Sequence, residues 1–456
     1  MAITQTMNLN YENDPLLSEN KLFINNSLNV YAILVKKEDF DSNKKGSILK
    51  KCPYIYDEYN EIQKEIHTLE DNNFIKVRQL LSDYLKIKRI RKDTFYNWFE
   101  QKRYPLPLIR AMFHLLNKDI TEALKDKKIT DFCNKSQIKL PVSYNEVTSE
   151  FMAYLIGIHL GDGTLNKERW KVVDGDREIE NLKYSYRFLE KIRKKIREIF
   201  SVVSEIYKIK GKGAYELIIS NKWLCRYFNF VYNLEYNEKK NPKIPKLLIA
   251  KKDLVFRGLM DTDGSIKNYR IAIGTKYGGL YENLRSILEE HKIKYREKIN
   301  NLQRENSFYI LEIQKDFLGK FIKIIGFSHP RKLNEVVKYL KTTSGSSTFL
   351  RYSNYKPKIS GKEFIEICHF LRPVKNAGKV RFISEFNKLK KDEKNRIINN
   401  INLNFGVNKE PNKKGYINSY KIEKILTNCC IYKKNREPTN QEEINKIVKK
   451  VNSIWE

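Results

Sequence analysis

The chain has 456 residues, 41% of them hydrophobic, which is enough for two or three domains with buried cores. Lys and Arg outnumber Asp and Glu by 87 to 55, a net charge of +32, so the expected partner is a polyanion and first of all nucleic acid. No run approaches the roughly 20 apolar residues of a membrane span, and the N-terminus lacks the pattern of a signal peptide, so we expect a cytoplasmic, intracellular protein. None of the six cysteines forms a C-x-x-C pair, so we expect neither a zinc site nor a disulfide framework.

Residues 1–146 are predicted to form an N-terminal helical domain. Within it, segment 77–116 has the order helix, turn, short helix, basic loop and helix, and it resembles a Cro-type helix-turn-helix. In that interpretation Tyr96, Asn97 and Lys102 would lie near bases or phosphates of double-stranded DNA. The alternative is that the aromatic residues of this segment form the core of a small helical domain.

Two later segments are alike, residues 154–163 (YLIGIHLGDG) and residues 255–264 (VFRGLMDTDG). Each predicts a short helix with a central glycine, Gly157 or Gly258, and another small residue four positions later. Residues four apart share a helix face, and small residues on that face let two backbones approach closely. We therefore expect Gly157 and Gly258 to form a close seam between two helices.

The last acidic residue of each segment is the candidate catalytic group. If the two helices pack in parallel, Asp162 and Asp263 meet at their C-terminal ends, where two close carboxylates repel unless a cation lies between them. Oxygen ligands suit Mg²⁺, and a carboxylate pair on a hard cation can support phosphodiester hydrolysis. The helix macrodipole disfavours an aspartate at a helix C-terminus, so the double placement favours a bound cation over a capping role.

Residues 155–163 and 256–264 resemble the paired LAGLIDADG, or DOD-type, motifs of homing endonucleases. Both glycines and the acidic residue before the last glycine match the nine-residue motif. Leu160 stands where the family name has an acid, at a position that varies in the family, whereas Asp261 keeps the acid in the second motif. The resemblance implies Mg²⁺ as the cofactor, with Mn²⁺ as a possible substitute.

The resemblance also implies further site residues. The backbone carbonyls of Gly161 and Thr262 are expected to add metal ligands. Lys332 resembles a recurring family position, and Lys246 closes the equivalent segment of the first repeat; a lysine near the metals can stabilise the pentavalent phosphate. The alternative is that either lysine contacts only a DNA phosphate or solvent. His159 is expected to pack in the seam rather than to act as a base.

After each motif the sequence predicts strands, a helix, a strand and a helix, so residues 147–340 divide into repeats 147–250 and 251–340. In the family resembled, each repeat is αββαββα, and two repeats form a pseudo-symmetric saddle over DNA. The implied fold class is α+β, in a monomer with an internal pseudo-two-fold axis. Gln314, which alternates with core residues of the last strand, is expected to face the DNA groove.

Residues 341–348, rich in Ser, Thr and Gly, are predicted to be a linker. Residues 349–456 are rich in Lys and Asn and are predicted to form a basic, mainly helical C-terminal domain. That domain is either simply solvated or a further DNA-contacting module.

Together these features predict a site-specific, Mg²⁺-dependent double-strand DNA endonuclease, a hydrolase acting on ester bonds in intron homing. The chain begins Met-Ala and ends Ile-Trp-Glu, without the terminal nucleophiles of protein splicing, so we expect a free-standing protein. Two alternatives stay open: a DNA-binding regulator with the same fold and no cleavage, and an intron RNA maturase that binds RNA.

Overall fold

The structure is a computed structural model. It describes all of residues 137–341 except 177, 268–269 and 303–305. The other described residues are 14–18, 22–24, 27–35, 52–56, 64, 74–86, 90–115, 120, 128–130, 379–381, 392, 416–418 and 439–456. The chain divides into two compact units, one of Met1–Val336 with Lys446–Glu456 and one of Val337–Asn445. Beyond Lys341, the predicted linker 341–348 lies outside the described residues.

Residues 150–232 run helix, two strands, helix, two strands, helix. In chain order the elements are Glu150–Asp162, Gly163–Leu165, Arg169–Gly175, Leu182–Phe200, Glu205–Lys208, Ala214–Ser220 and Lys222–Tyr232. The four strands form one antiparallel sheet, which we call the first sheet. Its two central strands are Arg169–Gly175 and Ala214–Ser220. A 3₁₀ turn, Lys246–Lys251, leads to the next helix.

Residues 252–324 show the same element order. The elements are Lys252–Thr262, Gly264–Lys267, Arg270–Thr275, Gly278–Glu290, Tyr295–Leu302, Asn306–Ile313 and Leu318–Ile324. Their strands form a second antiparallel sheet with the same strand order as the first. The fold thus combines helices with antiparallel sheets, and both halves follow the αββαββα order.

Alternation of apolar side chains explains the sheets, and helical spacing explains the helices. In strand Arg169–Gly175, Trp170 and Val172 are buried while their neighbours are partly exposed, as one-sided burial of a strand requires. Helix Leu182–Phe200 buries an apolar stripe made of Phe188, Leu189, Ile192, Ile196 and Phe200. No helix in the described ranges is long and apolar enough to cross a membrane.

The first motif helix, Glu150–Asp162, packs against the second motif helix, Lys252–Thr262. A Cβ atom added at Gly157 would lie 2.1 Å from the carbonyl oxygen of Val255, and one at Gly258 would lie 2.2 Å from that of Tyr154. Both distances fall below any real Cβ contact. Only glycine therefore fits at either position, and the two backbones touch directly.

The N-terminal part contains more strand than the predicted helical domain allows. Helices Phe74–Tyr84, Lys92–Glu100 and Leu106–Leu115 fall within or beside the segment predicted to be a helix-turn-helix. However, a four-stranded antiparallel sheet crosses this region, with the strand order Arg103–Pro105, Tyr54–Tyr56, Lys128–Thr130 and Gln137–Lys139. Strands of three residues are too short to show a period of two, so the sequence pattern did not reveal them.

The C-terminal boundary also differs from the predicted domain 349–456. Helix Gln441–Asn452 leads into a 3₁₀ turn that ends at Trp455, and Lys446–Glu456 belongs to the same compact unit as the motif helices. The Trp455 ring packs edge-on against Tyr154 of the first motif helix, with ring centroids 5.3 Å apart. It also contacts Phe151 and Phe188, so these aromatic contacts hold the last residues against the core.

We predict that Gly258→Ala destabilises the protein by about 1–3 kcal/mol or more, because the new methyl group must push the motif helices apart. Urea unfolding followed by circular dichroism measures the change. Gly319→Ala is the matched control, since a Cβ at this helical glycine meets nothing within 4 Å, and there alanine is expected to be neutral or stabilising. Equal stability of Gly258→Ala and wild type would contradict the close seam.

Candidate active site at the paired helix ends

The two predicted aspartates lie at the C-terminal ends of the two motif helices. Asp162 is the last residue of the first motif helix, and Asp263 directly follows the second. A Cβ added at Gly161 would lie 2.0 Å from Thr262 Oγ1 and 3.3 Å from Asp263 Oδ2. The carboxylate of Asp263 therefore rests against the backbone that leads into Asp162, and the small residue at position 161 permits the approach.

The surroundings of these carboxylates disfavour their negative charge. Both side chains reach the surface, but the protein atoms around them still remove part of their hydration. Burial first, and then the charge of Asp162, raise the pKa of Asp263 to about 6. Burial and the charge of Asp174 likewise raise the pKa of Asp162. Two adjacent acids with raised pKa values form a site that a cation would stabilise.

A lysine contacts the end of each motif helix. Lys239 Nζ donates to the carbonyl oxygens of Leu160, at 3.0 Å, and Gly161, at 2.5 Å. Lys332 Nζ donates to three carbonyl oxygens at the end of the second motif helix, those of Met260 (2.8 Å), Asp261 (2.8 Å) and Thr262 (3.0 Å). Each ammonium offsets the partial negative charge of a helix C-terminus and lies near the acidic pair.

The two lysines differ in the hydrogen bonds that they can still make. An ammonium has three donors. Lys332 is 4% exposed and uses all three on carbonyls, whereas Lys239 donates to two carbonyls among the described residues. Burial lowers the pKa of Lys239 to about 8, although Asp263 and Asp162 oppose the shift. Lys239 is thus the better placed of the two to reach a phosphate or a water.

Lys239 was missed from the sequence, where Lys246 was the candidate of the first repeat. Lys246 is exposed at the start of the 3₁₀ turn Lys246–Lys251, seven residues beyond Lys239, and it lines a cavity of about 400 Å³ together with Lys239. Nothing in the local sequence separates Lys239 from the other 86 basic residues, because its role depends on a contact between distant segments.

A divalent metal fits the acidic pair better than it fits the carbonyls. Among the described residues, no group of three or more His, Cys, Asp and Glu side chains is arranged to hold a metal ion. Mg²⁺ needs no such group, since it commonly binds one or two carboxylates and completes its octahedron with water and phosphate oxygens. The carbonyl oxygens of Gly161 and Thr262 already accept hydrogen bonds from lysines, whose positive charge repels a second cation.

A buried acid in the seam holds the two motif helices in register. Asp261 is fully buried, and its Oδ2 accepts hydrogen bonds from the Tyr154 hydroxyl at 2.7 Å and from the backbone N–H of Ser328 at 2.9 Å. Burial raises the pKa of Asp261, an effect that the charge of Lys332 opposes. The hydrogen bond from Tyr154 crosses from one motif helix to the other and sets their relative position.

His159 packs in the interior, as its position in the seam suggested. It is 2% exposed, and its Nδ1 accepts a hydrogen bond from the Trp170 indole at 3.1 Å. Burial and the charge of Lys239 lower the pKa of His159 well below its usual value, so the ring is neutral near pH 7.

The other predicted contact residues lie outside the two motif helices. Tyr96 and Asn97 are exposed on helix Lys92–Glu100, and Lys102 follows with a left-handed φ of 51°. Gln314 directly follows the last strand of the second sheet and donates to the Tyr295 carbonyl oxygen at 3.2 Å.

An open cleft of about 570 Å³ runs from Asp263 along the outward face of the second sheet. Gly161, Lys276, Phe308 and Ile310 are among its lining residues.

Comparison with known proteins gives a partial match in sequence. The profile of the LAGLIDADG-like domain matches residues 250–326, which hold the second motif helix and the second sheet. Probable translation initiation factor IF-2 of Methanocaldococcus jannaschii is 28% identical over 231 residues, 48% of this chain and 18% of that protein. The replication factor C small subunit of the same organism is 28% identical over 210 residues, 43% of this chain and 10% of that protein. The chain thus spans less than a fifth of each curated relative.

Solved structures with some similarity include the homing endonuclease I-DmoI and a WhiA protein. I-DmoI in complex with DNA and Mn has a TM-score of 0.29 and 23% identity, covering 39% of this chain and 97% of that one. Its complex with DNA and Ca gives 0.31 and 22%, covering 42% and 98%. Full-length DUF199/WhiA from Thermatoga maritima gives 0.29 and 16%, covering 68% and 95%.

We predict that Asp263→Asn raises the melting temperature of the metal-free protein above pH 6 and leaves it nearly unchanged near pH 4. The folded-state pKa of about 6 lies above the ordinary value of 3.8. The wild type therefore loses stability as pH rises from about 4 to 6, and the amide does not. Scanning fluorimetry across pH 4–8 measures the difference. A melting temperature lowered by the amide at pH 7 would contradict this electrostatic strain.

Proposed function

We propose that the chain is a site-specific DNA endonuclease of the LAGLIDADG type, which hydrolyses phosphodiester bonds in both strands of a duplex. The observation that carries the proposal is the meeting of Asp162 and Asp263 at two helix ends whose backbones touch through glycine. The match of residues 250–326 to the LAGLIDADG-like domain supports the same conclusion.

In this proposal Asp162 and Asp263 hold divalent metal, Mg²⁺ or Mn²⁺, between the paired helix ends. When bound, the metal would activate a water and neutralise charge on the leaving oxygen. Lys239 provides a positive charge and a hydrogen-bond donor for the pentavalent phosphate. Lys332, whose donors are all engaged, fixes the end of the second motif helix and contributes its charge at longer range. Lys246 remains a candidate for contact with a phosphate of the DNA.

The proposed DNA-binding surface is the outward face of both sheets, as a pseudo-symmetric saddle whose two repeats serve two half-sites within one chain. Basic residues lie on the faces opposite the buried strand residues: Arg169 and Lys171 on the first sheet, and Arg270, Arg296 and Lys298 on the second. A curved β surface fits the roughly 12 Å width of the major groove.

Outside the sheets, the exposed side of helix Lys92–Glu100 extends the proposed surface. Its buried side carries Phe95 and Trp98, whose rings pack 5.7 Å apart, and Tyr96 and Asn97 point the other way. One helix can thus provide both a core face and a face for DNA. Gln314 is proposed to contact DNA at the far end of the second sheet.

We predict discrete cuts when the protein is incubated with genomic DNA or a random duplex library in Mg²⁺, and no cuts in EDTA. Asp162→Asn and Asp263→Asn should each lower cleavage by more than about 100-fold, since changing even outer-shell partners of a metal site costs 10–100-fold. Both variants should still bind DNA. Sequencing of cleaved ends measures the effect and identifies the target site.

Asp316→Asn is the matched control, because Asp316 is an exposed aspartate in the turn Lys315–Phe317, outside both motif helices. It should cleave like the wild type. Protection of DNA without cleavage in any metal would favour a DNA-binding regulator, and stimulation of intron splicing without DNA cleavage would favour an RNA maturase.

We predict that DNA affinity falls steeply with salt, because a chain with a net charge of +32 neutralises many phosphates. A plot of log affinity against log salt concentration should have a slope of about −0.9 for each phosphate contacted. Fluorescence anisotropy with a labelled duplex, in Ca²⁺ rather than Mg²⁺, measures it. A flat response would show that the basic surface does not bind the DNA backbone.

A further inference from the structure

One charged residue lies on the inward side of a strand, where apolar residues are expected. Asp174 follows Trp170 and Val172 on the buried face of strand Arg169–Gly175 and is 8% exposed. Its Oδ2 lies 3.1 Å from Nε2 of His329, a residue 155 positions later in the chain. A buried carboxylate is costly unless it is hydrogen-bonded, so this contact between the two halves needs a role.

The histidine is held on both sides. His329 is 3% exposed, its ring centroid lies 4.6 Å from that of Phe188, and its Nδ1 accepts the backbone N–H of Arg331 at 3.2 Å. We assign the ring proton to Nε2 from this pattern, so that Nε2–H donates to Asp174. Strand, helix and loop are thus joined through one imidazole.

An ion pair follows two residues later. Arg331 Nε lies 2.9 Å from Asp176 Oδ2, just beyond the same strand of the first sheet. His329 and Arg331 therefore tie the first turn of helix Pro330–Lys341 to the first repeat. The next residue is Lys332, whose buried side chain reaches the three carbonyls that end the second motif helix.

We propose that Asp174 and His329 are positioning residues for Lys332, so that the first repeat aligns the lysine which fixes the second motif helix. The inference rests on the proposed function, in which Lys332 lies beside the reacting aspartates. Without the Asp174–His329 hydrogen bond, the first turn of helix Pro330–Lys341 shifts and Lys332 leaves its carbonyls. The pair thereby makes the second half of the site depend on the first.

The direct test measures how fast Lys332 is acetylated in the full-length protein without DNA, by mass spectrometry after treatment with an acetylating reagent. We expect slow modification in the wild type and at least about tenfold faster modification in Asp174→Ala. Asp174→Asn and Asp174→Ala both remove the charge of Asp174, which raises the pKa of Lys332. Because Asp174→Asn keeps an oxygen that accepts from His329 Nε2, its Lys332 should be modified more slowly than that of Asp174→Ala. Lys239, measured in the same samples, should not change in any variant.

This comparison separates positioning from general loosening. If Asp174→Ala leaves Lys332 as slow to react as in the wild type, the proposal is wrong. If Lys239 becomes faster by the same factor as Lys332, the variant has simply lost structure, and the positioning role is again rejected.

A second measurement uses cleavage. Asp174→Ala should lower the single-turnover cleavage rate about 10–100-fold without weakening DNA binding, and it should have no further effect in a Lys332→Met background. Additive losses in the double variant would contradict action through Lys332. A wild-type protein that cuts no DNA would refute the proposed function, whereas the acetylation measurement would still decide the positioning role.

Discussion

Direct contact between two helix backbones is the constraint on which the rest of the structure depends. Gly157 and Gly258 allow it, because any side chain at either position would collide with a carbonyl of the opposite helix. The contact brings the C-terminal ends of both helices together, where their partial negative charges and the two aspartates accumulate. The site is therefore electrostatically strained by its own architecture.

Two lysines from distant segments of the chain partly offset this negative charge. Lys239 and Lys332 each bind the final carbonyls of one motif helix, and together they supply two positive charges beside two acids. The lysines do not fully offset the negative charge, since the pKa of Asp263 remains raised to about 6. A divalent cation would offset the remaining negative charge, which is why the arrangement suits the phosphodiester chemistry proposed above. Active sites commonly give up stability in this way.

Much of the core could be predicted from the sequence because its signals are local. The two motifs share spacing within nine residues, and the alternation of buried and exposed residues follows the strands around Ile273 and Leu311. The site residues that the sequence did not reveal depend on long-range contacts. Lys239 is one lysine among many until the fold brings it to Gly161, and Asp174 looks like a solvated strand residue until His329 is folded against it.

The predicted N- and C-terminal domains differ from the structure for a related reason. Three-residue strands such as Arg103–Pro105 carry no pattern of their own and form only by pairing with Tyr54–Tyr56. Trp455 was assigned to a separate C-terminal domain, because no pattern in the sequence shows that its ring packs on Tyr154. Composition identified the basic character of the chain but not which segments share a core.

In the proposed site, Asp162 and Asp263 hold a divalent ion between them. Crystals grown with Mn²⁺ would reveal that ion by anomalous diffraction. We expect a manganese peak that contacts carboxylate oxygens of both residues and that disappears in Asp263→Asn. Manganese bound elsewhere in the chain, with the two carboxylates far apart or paired only with lysines, would contradict it.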